Sequence, residues 1–196
     1  MVTKRLPAEE RKKQIVKSAT AVFARKGYHG ATTKRISQEA GVAEALIYRY
    51  FGSKKGLFSD AVRRTAERLV HGLEAALTLH PDDPSLAMQE VYTFYLDLLL
   101  KQRDLAKMIF LVFAELDDPE VRDVYLPHQE HALDVLSTAI RRWKKTGALR
   151  SDMPSRASAW LILGAFQVLA LMKHSGRIDE IDPKAALELA LPFLSS

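Results

Sequence analysis

Apolar residues recur at helical spacing along the whole chain, and no segment alternates apolar and polar residues between turn signals as a strand does. The spacing and its glycine and proline interruptions predict about nine helices. Their expected ranges are 8–26, 33–40, 43–51, 53–79, 85–101, 104–116, 119–147 with a break near Pro127, 155–174 and 183–194. The predicted fold class is therefore all-α.

Two of the predicted helices, 33–40 and 43–51, are short and are joined by the tight turn Ala40-Gly41-Val42. Ile36 and Ile47 have the spacing to pack against Phe23 of the first helix, which would form a compact three-helix core. A helix-turn-helix domain uses two such helices to place the second one in the major groove of DNA. DNA binding is therefore the first functional hypothesis.

The helix 43–51 is too short to bury every side chain, and Ile47 and Phe51, four residues apart, are expected to take the buried face. The exposed face is left with Glu44, Ala45, Tyr48, Arg49 and Tyr50. Arginine can bind guanine bidentately, tyrosine hydroxyls suit phosphates, glutamate can accept from a cytosine amino group, and alanine can approach a thymine methyl. Lys54 and the amides of the helix that begins after Ser53 are predicted to form a second phosphate site.

The distribution of charge supports this hypothesis. The chain has a net charge of +5, but residues 1–56 hold thirteen lysine and arginine residues against four acidic ones, so the remaining residues carry −4. A basic first quarter joined to a mildly acidic remainder indicates that only the N-terminal part faces a polyanion.

Composition narrows the other possibilities. The absence of cysteine excludes disulfides, thiolate metal sites and cysteine nucleophiles. No apolar stretch follows the basic N-terminus, and the longest apolar run, Ala159 to Met172, is too short to span a bilayer. We therefore expect a cytoplasmic protein with no membrane partner.

The run GYHGATTKRISQEAGVAEALIYRYFGSKKGLF resembles the N-terminal signature of the TetR (tetracycline-repressor) family of bacterial regulators, and the resemblance covers residues 8–58. It implies a helix-turn-helix DNA-binding domain over residues 1–52. Residues 53–196 would form a helical bundle for ligand binding and dimerisation, and the fourth helix would link the two domains. The protein would be a ligand-responsive repressor that binds a palindromic operator as a homodimer.

By the same resemblance, Thr33 would contact phosphate and cap the second helix, and Lys34 would lie near the groove edge. Residues 43–45 would face bases, and Tyr48, Tyr50 and Lys54 would hold phosphates. The full expected DNA-binding set is Thr33, Lys34, Ala43, Glu44, Ala45, Tyr48, Arg49, Tyr50 and Lys54. Ala43 and Leu46 depart from the family pattern, since the family usually has a capping hydroxyl at the first position and a small polar residue at the second.

The rest of the chain suggests a ligand pocket and a dimer interface. Large apolar side chains with a few polar groups among them are typical of a small-molecule site, although an aromatic stripe is more often plain core. The candidate pocket residues are Tyr92, Tyr95, Phe110, Phe113, Tyr125, His128 and Gln167. The last two helices offer large apolar faces suited to a partner subunit, with Trp160, Leu163, Phe166, Leu187, Leu191 and Leu194 as candidates. The resemblance implies a small apolar or amphipathic effector.

Other chemistries have little support. His128 and His131 lie three residues apart but lack an assigned third ligand, so no metal or other cofactor is predicted. No serine lies in a glycine-flanked nucleophile motif and no phosphate-binding glycine loop occurs, so no catalytic residue is predicted. Two alternatives stay open: an architectural DNA-binding protein without an effector, and an α-helical enzyme. The sequence also leaves repressor against activator undecided.

Overall fold

The computed structural model describes residues 7–102, 104–152 and 154–180, and these ranges contain eight α-helices and no strand. The helices are α1 Ala8–Gly30, α2 Thr33–Ala40, α3 Glu44–Phe51, α4 Lys54–Leu79, α5 Pro84–Lys101, α6 Leu105–Ala114, α7 Pro119–Lys145 and α8 Ser155–Ser175, followed by a short 3-10 helix at Ile178–Glu180. The all-α prediction is confirmed. The expected ninth helix, 183–194, lies outside the described residues.

Three local expectations need correction. The first helix was expected to end before Gly27, but a further turn follows to Gly30, across a kink where Gly27 has a φ of 70°. Thr32, not Thr33, caps α2, because Thr32 has the extended backbone of a cap and its hydroxyl accepts from the amide of Arg35. The predicted break near Pro127 is absent, because a proline removes one amide donor and the flanking turns keep α7 continuous.

The described residues form two compact units, each with its own core. The first comprises the residues up to Thr65 together with Lys107–Tyr125. Its core includes the rings of Phe23 and Phe58, whose centroids lie 5.0 Å apart in an edge-to-face arrangement. The boundary between the two units falls inside α4, whose first turns bury against α1. The division into a DNA-binding domain over residues 1–52 and a second domain over residues 53–196 stays a prediction.

The second unit comprises Ala66–Ala106 and the described residues from Leu126 onward. Its core is built from the later part of α4, α5, most of α7 and α8. Trp143 is fully buried there, and its indole N–H donates to the carbonyl of Pro81 at 2.8 Å. Arg156 on α8 binds Glu130 and Asp134 on α7, so ion pairs tie these two helices at their exposed edge.

Candidate nucleic-acid interface

The turn between α2 and α3 is built from local hydrogen bonds. Gly41 adopts a left-handed conformation with a φ of 63°, and its amide donates to the carbonyl of Gln38 at 3.2 Å. The amide of Val42 donates to the carbonyl of Ser37 at 3.0 Å. Glycine takes this conformation without the steric cost that a side chain would add, so the sequence Ala40-Gly41-Val42 ends α2 and starts α3 within a few residues.

Helix α1 braces the far end of α2. The Gln14 side-chain amide donates to the carbonyl of Ala40 at 2.7 Å and accepts from Arg11 at 3.1 Å. Arg25 forms an ion pair with Glu39 at 2.8 Å. Gln14 was not predicted as part of the site, because a glutamine on an amphipathic helix carries no signal that it will meet another helix end. These contacts fix the direction of α2 relative to α1.

Helix α3 exposes Ala45, Tyr48 and Arg49 of the five residues predicted for its outer face, whereas Glu44 is half-buried. Ile47 is fully buried, whereas Ala45 and Arg49 are exposed and half of the Tyr48 side chain is accessible. Ala43 also lies exposed and gives α3 no side-chain cap, as its departure from the family pattern predicted. Tyr50 is only half-exposed, because its ring packs against the core of the first unit.

Thr33 joins the start of α2 to α3. Its side chain is 8% exposed, and its hydroxyl lies 2.5 Å from a carboxylate oxygen of Glu44 and 3.0 Å from the hydroxyl of Tyr48. The Thr33 hydroxyl is therefore used inside the protein. At the start of α2, the backbone amides of Thr33 and Lys34 have no carbonyl acceptor within the helix. They are therefore suited to bind an anion.

Lys54 has an unexpected structural role. Its ammonium donates to the carbonyls of Tyr28 and Ala31 at 3.0 and 3.1 Å, and it lies 4.5 Å from the centre of the Tyr28 ring. The lysine thus satisfies carbonyls at the end of α1. An ammonium has three N–H donors, so one remains for a phosphate. Ser53 caps the start of α4, because its hydroxyl accepts from the amide of Gly56 at 2.9 Å.

The neighbouring Lys55 is paired with an acid. Its ammonium lies 2.6 Å from a carboxylate oxygen of Asp118, and this hydrogen bond raises the pKa of Lys55 and lowers the pKa of Asp118. Burial raises the pKa of the nearby Tyr28 hydroxyl. Lys34, Arg35 and Arg49 lie exposed on α2 and α3, so their positive charge is available to a polyanion.

The candidate pocket residues are divided between the two units. In the first, the rings of Phe113 and Tyr125 meet edge to face at 5.8 Å, and Phe110 lies half-buried on α6. In the second, Tyr92 is buried, Tyr95 packs its ring 4.8 Å from Phe166, and His128 and Gln167 are half-buried. Among the described residues, no group of three or more histidine and acidic side chains is placed to hold a metal ion.

Helix α8 exposes an apolar stripe that runs along its length. Its large members are Trp160, Leu161, Val168 and Leu171, with Ala157, Gly164 and Ala165 between them. Of the predicted interface residues, Trp160 lies on this stripe. Leu163 and Phe166 pack against the core of their own chain, and Leu187, Leu191 and Leu194 lie outside the described residues. Leu161, Val168 and Leu171 were missed, although Val168 and Leu171 lie at helical spacing from Trp160.

The same helix meets the length and composition of a membrane span. It has 21 residues, most of them apolar. The expectation that no segment could cross a bilayer was based on the apolar run Ala159 to Met172 alone, which is shorter than the helix. One such helix is weak support for a membrane, because helices in the cores and interfaces of soluble proteins have the same composition.

Comparison with known proteins places the helix-turn-helix segment in a described family. Residues 15–61 match the model of "Bacterial regulatory proteins, tetR family". The transcriptional activator FasR of Mycolicibacterium smegmatis is 34% identical over 91 residues, which cover 46% of this chain and 42% of FasR. The transcriptional repressor AcnR of Corynebacterium diphtheriae is 26% identical over 144 residues, which cover 74% of this chain and 70% of AcnR.

The fold of the whole chain has solved counterparts. The transcriptional regulator FadR of Bacillus subtilis, crystallised with stearoyl-CoA, superposes with a TM-score of 0.76 over 94% of this chain and 97% of FadR. Its sequence identity is 20%, so the likeness concerns the fold. The sequence alignment, by contrast, spans less than half of FasR.

Proposed function

Because the chain is a member of the TetR family of bacterial transcriptional regulators, we propose that it binds a palindromic operator in double-stranded DNA as a homodimer and represses transcription until a small effector releases it. The observation that carries this proposal is the exposed face of α3, which holds Arg49 and Tyr48 beside the basic start of α2. We assign it no catalytic activity and place its action in the cytoplasm.

We assign each group of the interface a role in DNA binding. Arg49 and Ala45 on α3 face the base edges in the major groove. Lys34 and the first amides of α2 bind phosphate, and the remaining N–H of Lys54 binds another. These backbone contacts position the protein on the duplex, and the α3 side chains supply the sequence preference.

The exposed stripe of α8 supports a two-fold dimer. A continuous apolar face on one helix is well suited to pack against the same helix of a second copy, because a two-fold interface places identical patches together. Such a dimer would present its two α3 helices to half-sites about 34–36 Å apart. The two-fold symmetry of the dimer is the physical reason to expect a palindromic operator.

The similar proteins support a small-molecule effector and the choice of repression over activation. FadR of Bacillus subtilis was crystallised with stearoyl-CoA, an amphipathic ligand, which supports an apolar or amphipathic effector for this chain. AcnR is a repressor and FasR is an activator. The alignment with AcnR covers more of this chain, so we propose that this protein represses transcription. An effector can release DNA only by binding the DNA-free conformation more tightly.

Arg49→Ala is expected to weaken binding to the selected operator about 10- to 100-fold and to relax the preference at one base pair of each half-site, because it removes a base-reading fork. In vitro selection from random duplexes identifies the operator, and fluorescence anisotropy at fixed salt measures the affinity. Arg122→Ala is the control, since it removes an equally exposed arginine of α7. If wild-type protein enriches no sequence, the proposed function is wrong.

Lys54→Met is expected to affect both stability and DNA binding. Losing the donor to the carbonyls of Tyr28 and Ala31 should lower the free energy of unfolding by about 2 kcal/mol. Losing the phosphate contact should reduce the slope of log affinity against log salt by about 0.9. Denaturant unfolding and anisotropy at several salt concentrations give the two quantities, and Lys107→Met is the exposed control. An unchanged slope would leave Lys54 with a structural role alone.

A further inference from the structure

A chain of hydrogen bonds ends at the most exposed aromatic side chain of α3. Thr33 contacts both Glu44 and Tyr48, at 2.5 and 3.0 Å respectively. Thr33 is buried, whereas half of the Tyr48 side chain is accessible on the face proposed to meet DNA. The positions of the protons in this cluster therefore decide what the Tyr48 hydroxyl can offer to a ligand.

The number of protons available fixes which group donates in each of these hydrogen bonds. A threonine hydroxyl has one proton, and a carboxylate has none to donate. At 2.5 Å that proton must lie between Thr33 and Glu44, because two bare acceptors would repel each other at this distance. Thr33 can then only accept from Tyr48, whose single phenolic proton points inward. Each bond polarises the next and strengthens this direction.

We propose that Glu44 is a positioning residue that acts through Thr33 to leave the Tyr48 hydroxyl with acceptor lone pairs alone, so that Tyr48 recognises a base amino group and not a phosphate. This assignment rests on the proposed DNA binding. Phosphate oxygens are acceptors and repel an acceptor-only hydroxyl. The amino donors of the major groove are adenine N6 and cytosine N4. Tyr48 thereby becomes a specificity residue, in contrast to the phosphate role that the family resemblance implies.

The test removes base amino groups one at a time from the selected operator. Purine replaces each adenine and 2-pyrimidinone replaces each cytosine, and affinity is measured by anisotropy. Wild-type protein is expected to lose about fivefold in affinity at one such position of each half-site, as for the loss of one hydrogen bond. Tyr48→Phe should bind the intact operator about fivefold more weakly and show no further loss at that position.

A parallel scan with neutral methylphosphonate linkages separates base from phosphate contacts. Tyr48→Phe is expected to keep every phosphate-sensitive position and the salt slope of the wild type. Tyr50→Phe is the matched control, since it removes the other hydroxyl of α3 from a ring packed against the core, and it should leave the amino scan unchanged. If Tyr48→Phe instead removes a phosphate-sensitive position and leaves the amino scan as in wild type, the assignment is overturned.

Variants of Glu44 test the positioning role. Glu44→Gln keeps an oxygen that can accept from Thr33, so the amino-sensitive position should persist. Glu44→Ala lets the Thr33 proton turn toward Tyr48 and frees the phenolic proton, so the sensitive position should disappear while non-specific affinity rises. An amino scan of Glu44→Ala identical to that of wild type overturns the role of Glu44. If wild-type protein selects no operator, both proposals fail. If wild-type protein selects an operator and Tyr48→Phe gives the same amino scan on it as wild type does, only this inference fails.

Discussion

Leu161→Asp is expected to convert the protein to a monomer and to weaken operator binding by about 100-fold or more. Leu161 is 76% exposed on the apolar stripe of α8, so the substitution disturbs little of its own chain's core. In a dimer the same position would be buried, and an unpaired carboxylate there is strongly unfavourable. Sedimentation velocity measures the change in mass, and anisotropy measures the operator affinity.

The loss of DNA affinity follows from having two linked half-sites. When one α3 of a dimer is bound, the second meets its half-site at a high effective concentration, which raises avidity by about two to four orders of magnitude. A monomer loses this gain although its own DNA contacts are unchanged. The variant should therefore bind an isolated half-site about as well as the wild-type protomer does.

A matched control separates the stripe from exposed leucines in general. Leu100 on α5 is half exposed in the same unit but is not part of the α8 stripe, so Leu100→Asp should leave the mass and the operator affinity unchanged. If Leu161→Asp stays dimeric, α8 is not the interface. If it becomes monomeric but binds the full operator as tightly as wild type, dimerisation is not needed for binding.

The helices around the proposed interface were predictable because local signals define them. Gly41 ends α2 and Ser53 caps α4, and both positions could be predicted from residue preferences alone. The choice between Thr32 and Thr33 as the cap of α2 could not, because both residue types suit the position and only the backbone conformation decides. Pro127 is the opposite case. Proline is a strong local signal for a helix break, but the turns on either side keep α7 continuous.

The side-chain contacts of the site depend on tertiary structure. Lys54 reaches carbonyls more than twenty residues away in the chain, and Thr33 meets Glu44 across the turn. A motif places such residues at the correct helix end, but it does not show which hydrogen bonds they already make. On α8, periodicity predicted an apolar helix, but it did not show which apolar residues face the core. The structure shows that Trp160 is exposed and that Phe166 packs against the core.

Gly56→Ala is expected to destabilise the first unit by about 3 kcal/mol and to weaken operator binding at least about tenfold. Helix propensity alone predicts that the substitution stabilises the protein, since alanine is favoured over glycine in a helix by about 1 kcal/mol. An added Cβ, however, would lie 2.2 Å from the backbone carbonyl oxygen of Phe51. A backbone atom cannot rotate away as a flexible side chain can, so the connection between α3 and α4 must open.

That connection has little freedom to open without moving the α3 helix that is proposed to read DNA. The carbonyl of Phe51 accepts from the amide of Ser53 at 2.8 Å, and the Ser53 hydroxyl in turn caps Gly56. Relieving the clash therefore breaks the cap or displaces the end of α3, and both outcomes disturb the interface. Thermal unfolding and anisotropy measure the two effects. Gly30→Ala is the control, because its added Cβ meets only an ordinary contact at 3.7 Å. A Gly56→Ala variant as stable as wild type would show that the turn relaxes freely and does not position α3.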